Sequence, residues 1–170
     1  MVQQINVQLK PSKPEDARLN LSIGPAALIE QGFVMPIIVQ TPSVLTSPPI
    51  SKPLKAILVM ALLDTGAQRT CISDKLAEQL NLEVIGFSEI RTAGGVSTFP
   101  DYIVDIQFPN ASLQSFNNLN IGSCKLPYGE TNNQEQQMNH ANFGALIGRD
   151  IMSKWSIFWN GPTSSVFISD

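Results

Sequence analysis

An acidic residue at the end of a long apolar run constrains this chain more than any other feature. The run is Ala56-Ile57-Leu58-Val59-Met60-Ala61-Leu62-Leu63, and the turn after it is Asp64-Thr65-Gly66-Ala67. A carboxylate at the end of a buried strand is costly to desolvate, so it must be hydrogen-bonded, paired or used in chemistry. The Thr-Gly pair permits a tight turn and offers a hydroxyl and backbone N–H groups to that carboxylate. The pattern predicts a buried central strand over residues 55–63 that presents one acid to a cleft.

The chain has no second copy of this motif. None of its other aspartates is followed by Thr-Gly or Ser-Gly; they are Asp16, Asp74, Asp101, Asp105, Asp150 and Asp170. Chemistry that needs two such acids therefore needs two chains.

Composition excludes several classes of function. A chain of 170 residues with 43% apolar and 15% charged residues is typical of a globular protein with one core. The net charge of −3 argues against a nucleic-acid partner, since phosphate binding needs a basic surface. No apolar run approaches the roughly 20 residues of a membrane span. The N-terminus lacks the basic and apolar segments of a signal peptide, so we expect no membrane association and a cytoplasmic location.

The cysteines and the histidine disfavour other catalytic sites. Cys71 and Cys124 are the only cysteines, and without a secretory signal we expect them to be reduced, with Cys71 a small buried side chain. His140 is the only histidine and lies in an Asn/Gln-rich segment, which disfavours a catalytic thiol, a Ser-His-Asp triad and most zinc sites. We therefore expect no metal and no cofactor.

The apolar pattern predicts an all-β chain with one or two short helices. Strands are expected over residues 5–9, 19–23, 33–39, 55–63, 88–91, 98–108, 116–121, 155–159 and 164–168, with the last two forming a hairpin. Pro36 should place its strand at an edge or a bulge. Ser73 can cap a helix on which Leu76 and Leu80 share one face. Residues 144–152 read as a short strand that runs into a helical turn, and residues 41–53 and 127–142 as loops.

Three features follow one another along the chain, and together they are more specific than an Asp-Thr-Gly tripeptide alone. The first is the apolar strand with its Asp-Thr-Gly-Ala turn, followed by Thr70. The second is a glycine-rich hairpin tip, Ala93-Gly94-Gly95-Val96. The third is an apolar pair, a glycine and a charged pair before a helix, Leu146-Ile147-Gly148-Arg149-Asp150.

This ordered set resembles the retropepsin-like aspartic proteases, the family of the retroviral, retrotransposon and Ddi-type proteases. The resemblance covers residues 33–170 and implies a small closed acid-protease barrel that forms a homodimer. It further implies a single domain over residues 1–170, with the core at about 31–170 and residues 1–30 as an N-terminal extension or an added strand.

The resemblance also implies a mechanism. Two copies of Asp64, one from each subunit, would share a proton, as the carboxylates of aspartic-protease dyads do, and would activate a water that attacks an extended polypeptide. Thr65 would brace the two loops, Gly66 would offer its carbonyl to substrate, and Ala67 would complete the loop. The partners implied are a second copy of the chain and a polypeptide substrate.

Two parts of the resemblance keep alternatives open: the hairpin tip over residues 93–96, and the binding partners of Arg69 and Arg149. The tip is either a flap that closes over the peptide or an ordinary hairpin turn. Residues 146–150 would support the active-site loop from behind. Gln68 and Arg69 stand where viral enzymes carry acids, so Arg149 lacks its usual carboxylate partner, and Arg69 and Arg149 would contact substrate or the other subunit instead.

Two other functions compete with peptide hydrolysis. The first is a non-catalytic peptide-binding or assembly module of the same fold, because fold does not fix function. The second is an aspartyl phosphotransferase with Asp64 as nucleophile. The second is disfavoured because Gln68 and Arg69 follow the turn, where further acids would be needed to hold magnesium.

Overall fold

The computed structural model describes residues 19–22, 29, 32–42, 55–92, 95–109, 113–129 and 143–170. The strand predicted over residues 5–9, most of the loop over 41–53 and the segment that holds His140 lie outside these residues. Within the described part, the mainly β prediction with short helices is confirmed. No helix in this part is long and apolar enough to cross a bilayer.

Ten strands and two short helices have both ends within the described residues. The strands are β1 (Leu19–Ser22), β2 (Val34–Gln40), β3 (Ala56–Leu63), β4 (Cys71–Ser73), β5 (Gly86–Thr92), β6 (Gly95–Gln107), β7 (Phe116–Cys124), β8 (Ala145–Ile147), β9 (Ser156–Asn160) and β10 (Ser165–Ser169). The helices are α1 (Asp74–Leu80) and α2 (Arg149–Met152).

Seven of the strands form one sheet in the order β2-β3-β8-β4-β7-β6-β5. Strand β2 also pairs with β6, so the pairings run in a ring through six strands. Apolar side chains from the six strands of this ring, from β10 and from both helices form one buried core, which includes Ile37, Ile72, Leu76, Ile106, Ile121 and Ile151. This arrangement places the end of β3 beside β8 and β4.

Strand β3 is less buried than its sequence predicts. It lies between β2 and β8, as a central strand should, but its two faces are covered unequally. Val59, Ala61 and Leu63 point into the core, whereas Leu58 is 63% exposed. An unbroken apolar run predicts two covered faces, and here the second face stays partly open to solvent.

Strand β2 meets the expectation for a strand with an internal proline. Pro36 pairs with Met60 of β3, while β6 reaches only residues 38–40 of β2. Pro36 therefore lies where β6 does not pair with β2, which is where a residue without an N–H group is tolerated.

Helix α1 begins as predicted at Ser73. The Ser73 Oγ accepts a hydrogen bond from the Leu76 N–H at 3.0 Å, and such a cap contributes about 1 kcal/mol. Leu76, Ala77 and Leu80 are buried on one face. The helix ends at Asn81, whose φ of 52° lies in the left-handed region. The cap and the buried face fix how the chain leaves β4.

The C-terminal strands form a second sheet in the order β1-β10-β9. The predicted hairpin is confirmed by the pairing of β9 with β10. Strand β1, from the predicted N-terminal extension, adds to the other side of β10, with Leu19 opposite Ile168.

The two cysteines form a disulfide, which the sequence interpretation got wrong. Strands β4 and β7 are parallel neighbours in which Cys71 pairs with Gly122 and Ser73 with Cys124. The Cys71 and Cys124 Cα atoms are 6.3 Å apart, within the usual range for a bridge. The expectation of free thiols rested on cellular compartment, and the sequence gives no sign that these two strands are neighbours.

Candidate active site

The end of β3 is tied directly to β8, so Asp64 starts its turn from a fixed point. Strands β3 and β8 run parallel, with Leu63 opposite Ile147. The Asp64 N–H continues this ladder by donating to the Ile147 carbonyl at 3.1 Å. The Asp64 side chain is half-buried at the mouth of the loop over residues 64–70.

The turn closes on the Asp64 carboxylate itself. The Gly66 N–H donates to Asp64 Oδ1 at 2.8 Å, and the Ala67 N–H donates to the Asp64 carbonyl at 3.1 Å. A Cβ atom on Gly66 would lie 3.0 Å from Asp64 Oδ1. Glycine therefore keeps the loop close to the carboxylate, and the N–H group orients one oxygen while the acid stays accessible.

Gly148 of the predicted supporting motif also packs against the loop. A Cβ atom there would lie 2.4 Å from the Arg69 carbonyl carbon and 2.8 Å from the Thr70 nitrogen. The Arg149 N–H donates to the Ala67 carbonyl at 3.0 Å. The start of α2 thus packs directly behind the Asp64 loop, at a separation that only glycine allows.

Thr70 and Asp150 join the far end of the loop to α2. The Thr70 N–H donates to both Asp150 carboxylate oxygens, at 3.0 and 2.9 Å, and the Thr70 hydroxyl donates to Oδ1 at 2.7 Å. The same hydroxyl accepts from the Gly148 N–H at 3.0 Å, and Asp150 Oδ1 also accepts from the Ile151 N–H at 2.9 Å. The sequence singled out both residues but gave no sign that they form one hydrogen-bonded cluster.

The Arg149 side chain binds the Asp64 loop of the same chain. Its Nη1 donates to the Thr65 carbonyl at 2.9 Å and to the Gly66 carbonyl at 3.3 Å. In place of the carboxylate that the resemblance would supply, Arg149 therefore binds backbone oxygens of the turn. A carbonyl oxygen has two lone pairs, so Gly66 keeps the capacity to accept a second hydrogen bond.

Arg69 leaves the loop on the other side and reaches three strands. Its Nη1 donates to Ser88 Oγ at 2.8 Å, and its Nη2 donates to Asn120 Oδ1 at 3.1 Å. Nη1 also lies 3.4 Å from Asp101 Oδ1. These partners belong to β5, β7 and β6 respectively. Sequence reasoning missed all three; the available signal was Asp101, a charged residue directly before the apolar stretch Tyr102-Ile103-Val104 of β6.

The glycine-rich hairpin is formed by β5 and β6, which pair from Gly86 with Asp101 to Thr92 with Gly95. Gly95 has a φ of 121°, and Val96 is 57% exposed. The other two predicted tip residues, Ala93 and Gly94, lie outside the described residues. The pairing bears out a hairpin at this point but does not separate a flap from an ordinary turn.

The described residues supply no set of metal ligands. The described residues contain no group of three or more His, Cys, Asp or Glu side chains that could hold a metal ion. Around Asp64 the other charged side chains described above are Arg69, Arg149 and Asp150, and Asp150 is occupied by N–H and hydroxyl donors.

The family model for the gag-polyprotein putative aspartyl protease matches residues 57–154. This stretch covers more than half of the chain and contains all three sequence features. The chain belongs to this family. The predicted resemblance to retropepsin-like aspartic proteases is therefore confirmed, and membership supports a general protease function.

This retropepsin-like chain is also similar to a solved structure. The match is to a retropepsin-like aspartic protease from Rickettsia conorii, with 11% sequence identity and a TM-score of 0.42; it covers 80% of this chain and 91% of the other. No curated protein matches the chain significantly.

Proposed function

We propose that this chain is an aspartic endopeptidase that acts as a homodimer, with one Asp64 from each subunit at the catalytic centre. The observation that carries the proposal is the Asp64 loop: an accessible carboxylate oriented by the Gly66 N–H and backed by β8 and α2. A loop held on several sides presents its acid in one geometry, as positioned catalysis requires.

The dimer is proposed because each chain carries a single Asp-Thr-Gly turn. Thr65 is exposed beside Asp64, where its hydroxyl can meet the matching loop of a second subunit. A two-fold axis would bring the two carboxylates to about 3 Å from each other, where like charges cannot both ionise. The pair would then share one proton.

In the proposed reaction the ionised Asp64 takes a proton from a water molecule while the oxygen of that water bonds to the peptide carbonyl carbon. The protonated Asp64 donates its hydrogen bond to the carbonyl oxygen and stabilises the developing charge. As the C–N bond breaks, the carbonyl re-forms and the leaving amine takes up the proton that the first Asp64 had taken from water, which regenerates one ionised and one protonated Asp64. The Gly66 carbonyl and the β5–β6 hairpin, acting as a flap, would bind the peptide backbone.

Further features of the chain are proposed on the same basis. The ring of pairings through six strands supports a closed barrel in each subunit, and a single domain with a core over residues 31–170. Cytoplasmic location stays a prediction. Disulfides are rare in that compartment, so the redox state of Cys71 and Cys124 in cells would test it.

The test compares the wild-type chain with Asp64→Asn, which is isosteric and keeps an oxygen that can accept from the Gly66 N–H. We expect wild type to be dimeric and to cleave an unfolded protein between mildly acidic and neutral pH. The variant should stay dimeric and lose at least about a hundredfold in kcat/KM, the scale of general acid–base catalysis. Glu78→Gln, on the exposed side of α1, is the matched control and should retain activity.

A mixed dimer tests the two-chain requirement directly. Wild-type and Asp64→Asn subunits with different affinity tags are co-expressed and the heterodimer is purified, with a doubly tagged wild-type dimer as control. The heterodimer should be as inactive as the Asp64→Asn homodimer. An active Asp64→Asn protein would overturn the proposal, and an inert monomeric wild type would favour the peptide-binding module.

A further inference from the structure

Arg69 connects the Asp64 loop to the strands of the β5–β6 hairpin, two parts whose relative position matters for the proposed reaction. Its backbone belongs to the Asp64 loop, and its side chain ends among polar groups of β5, β6 and β7. The Arg69 side chain is 34% exposed and the Asp101 side chain 9%. One guanidinium thus joins the catalytic loop to the strands of the proposed flap.

The backbone of Arg69 is held firmly in place. Gly148 packs against its carbonyl group, and the next residue, Thr70, is fixed by Asp150. The Asp150 N–H donates to the Gln68 carbonyl on the other side at 3.3 Å. These contacts belong to the same framework that supports Asp64, so Arg69 cannot move far without moving the catalytic loop.

The side chain of Arg69 completes a closed set of contacts at Asp101. Ser88 Oγ accepts from Arg69 and donates to Asp101 Oδ2. The other oxygen, Oδ1, is buried without a hydrogen bond and faces Arg69 Nη1. A buried carboxylate is strongly destabilising without a compensating cation. Arg69 is therefore required by Asp101 and not merely adjacent to it.

The contact of Arg69 with Ser88 and Asp101 lies at the base of the β5–β6 hairpin, so a small change there would move the turn by a larger distance. Ser88 pairs with Phe99, and four further paired positions separate them from the turn, ending at Thr92 and Gly95. At about 3.4 Å per residue the turn lies roughly 14 Å beyond Ser88. A tilt of about 10° at the base would move the turn by roughly 2 Å over that length.

We infer that Arg69 is a positioning residue that fixes the β5–β6 hairpin relative to the Asp64 loop and so sets the width of the substrate cleft. The part that concerns the cleft rests on the proposed function. The alternative is that the exposed part of Arg69 binds an acidic side chain of the substrate directly.

The experiment uses Arg69→Lys, which keeps a positive charge near Asp101. An ammonium on a flexible stem cannot reproduce the planar fork that contacts three strands. We expect a folded protein with a melting temperature near that of wild type. KM for a neutral peptide should rise roughly five- to tenfold, which is the scale of one ordinary hydrogen bond, with kcat changed less than about twofold. Lys154→Gln, an exposed cation elsewhere, should leave both constants unchanged.

Hydrogen exchange without substrate measures the coupling independently of activity. Amides of β5 and β6 should exchange faster in Arg69→Lys than in wild type. Ser88→Ala should produce a similar change, and the double variant should add little to either single change, because both remove the same connection.

The outcomes separate this inference from the proposed function. If wild type does not cleave peptides, the proposed function fails, and hairpin exchange still decides whether Arg69 holds the hairpin. Unchanged exchange would overturn the inference. A KM increase confined to peptides with acidic side chains would overturn it in favour of direct substrate binding.

Discussion

The Thr70 hydroxyl donates to Asp150 Oδ1 at 2.7 Å, across a separation of 80 residues. The same oxygen atom of Thr70 accepts from the Gly148 N–H at 3.0 Å. One buried hydroxyl therefore satisfies a donor and an acceptor on the segment that backs the Asp64 loop, and it fixes the end of that loop to α2.

Thr70→Val should lower the free energy of unfolding by about 1–3 kcal/mol. Valine keeps the shape of threonine but leaves the Gly148 N–H without its partner, and an unsatisfied buried donor costs about that much. Denaturant unfolding monitored by tryptophan fluorescence measures the change. Thr98→Val, at an exposed position of β6, is the control and should stay within about 0.5 kcal/mol of wild type. Equal losses in the two variants would contradict the assigned role of Thr70.

Gly148→Ala should be more damaging than a single methyl group normally is. Its Cβ would lie 2.6 Å from the Arg69 carbonyl oxygen, and backbone atoms must move to admit it. Overpacking of this kind typically costs about 1–3 kcal/mol, and the movement would displace the Asp64 loop as well. We therefore expect reduced stability together with reduced peptidase activity.

The control for Gly148→Ala is Gly86→Ala, where an added Cβ meets nothing within 4 Å. Unfolding midpoints and activity are measured for both variants. The close packing behind the loop would be refuted by a Gly148→Ala protein as stable and active as Gly86→Ala.

Loss of the Cys71–Cys124 bridge should destabilise the fold. The two cysteines are 53 residues apart in sequence, and in the chain-entropy model closing a loop of that length contributes up to about 4 kcal/mol. We expect the Cys71→Ala, Cys124→Ala double variant to lose about 2–4 kcal/mol relative to the oxidised wild type. Reductant should lower the stability of wild type and leave the double variant unchanged. If reductant affects neither protein, the bridge does not form in solution.

Tyr102 should make the fold less stable at high pH. Burial, together with the negative charge of Asp74, raises the pKa of the Tyr102 hydroxyl above its usual value of 10.0. The folded state therefore keeps this proton where the unfolded chain releases it. The stabilisation is complete below pH 10 and is lost as pH rises through the raised pKa.

The comparison is between wild type and Tyr102→Phe, with melting temperatures measured from pH 8 to above pH 11. The variant should lose less stability over the alkaline part of this range. Parallel curves would show that Tyr102 contributes nothing to the alkaline transition.

Local features of the fold were predictable because their causes are local. The Ser73 cap, the apolar face with Leu76 and Leu80, and the β9–β10 hairpin each depend on residues close together in sequence. The motifs around Asp64 and Gly148 were recognised as a pair, and the structure brings them into contact. Their joint role in catalysis stays a proposal.

What the sequence did not predict depends on which strands are neighbours. Cys71 meets Cys124 because β4 lies beside β7, and Arg69 meets Ser88, Asp101 and Asn120 because the same sheet continues to β6 and β5. Leu58 is exposed because a sheet can leave one face of an apolar strand open. None of these features produces a periodic pattern in the sequence.

Strand β8 fills the space between β3 and β4, and the Asp64 N–H bonds to its last residue, Ile147. Asp64 is therefore translated well before strand β8, to which its backbone is bonded. A nascent chain that has emerged only as far as residue 143 has the aspartate but not the strand or helix that holds its loop. The Asp64 loop gains its full support only once the chain has left the ribosome as far as α2, so the order of synthesis itself delays the loop geometry described above.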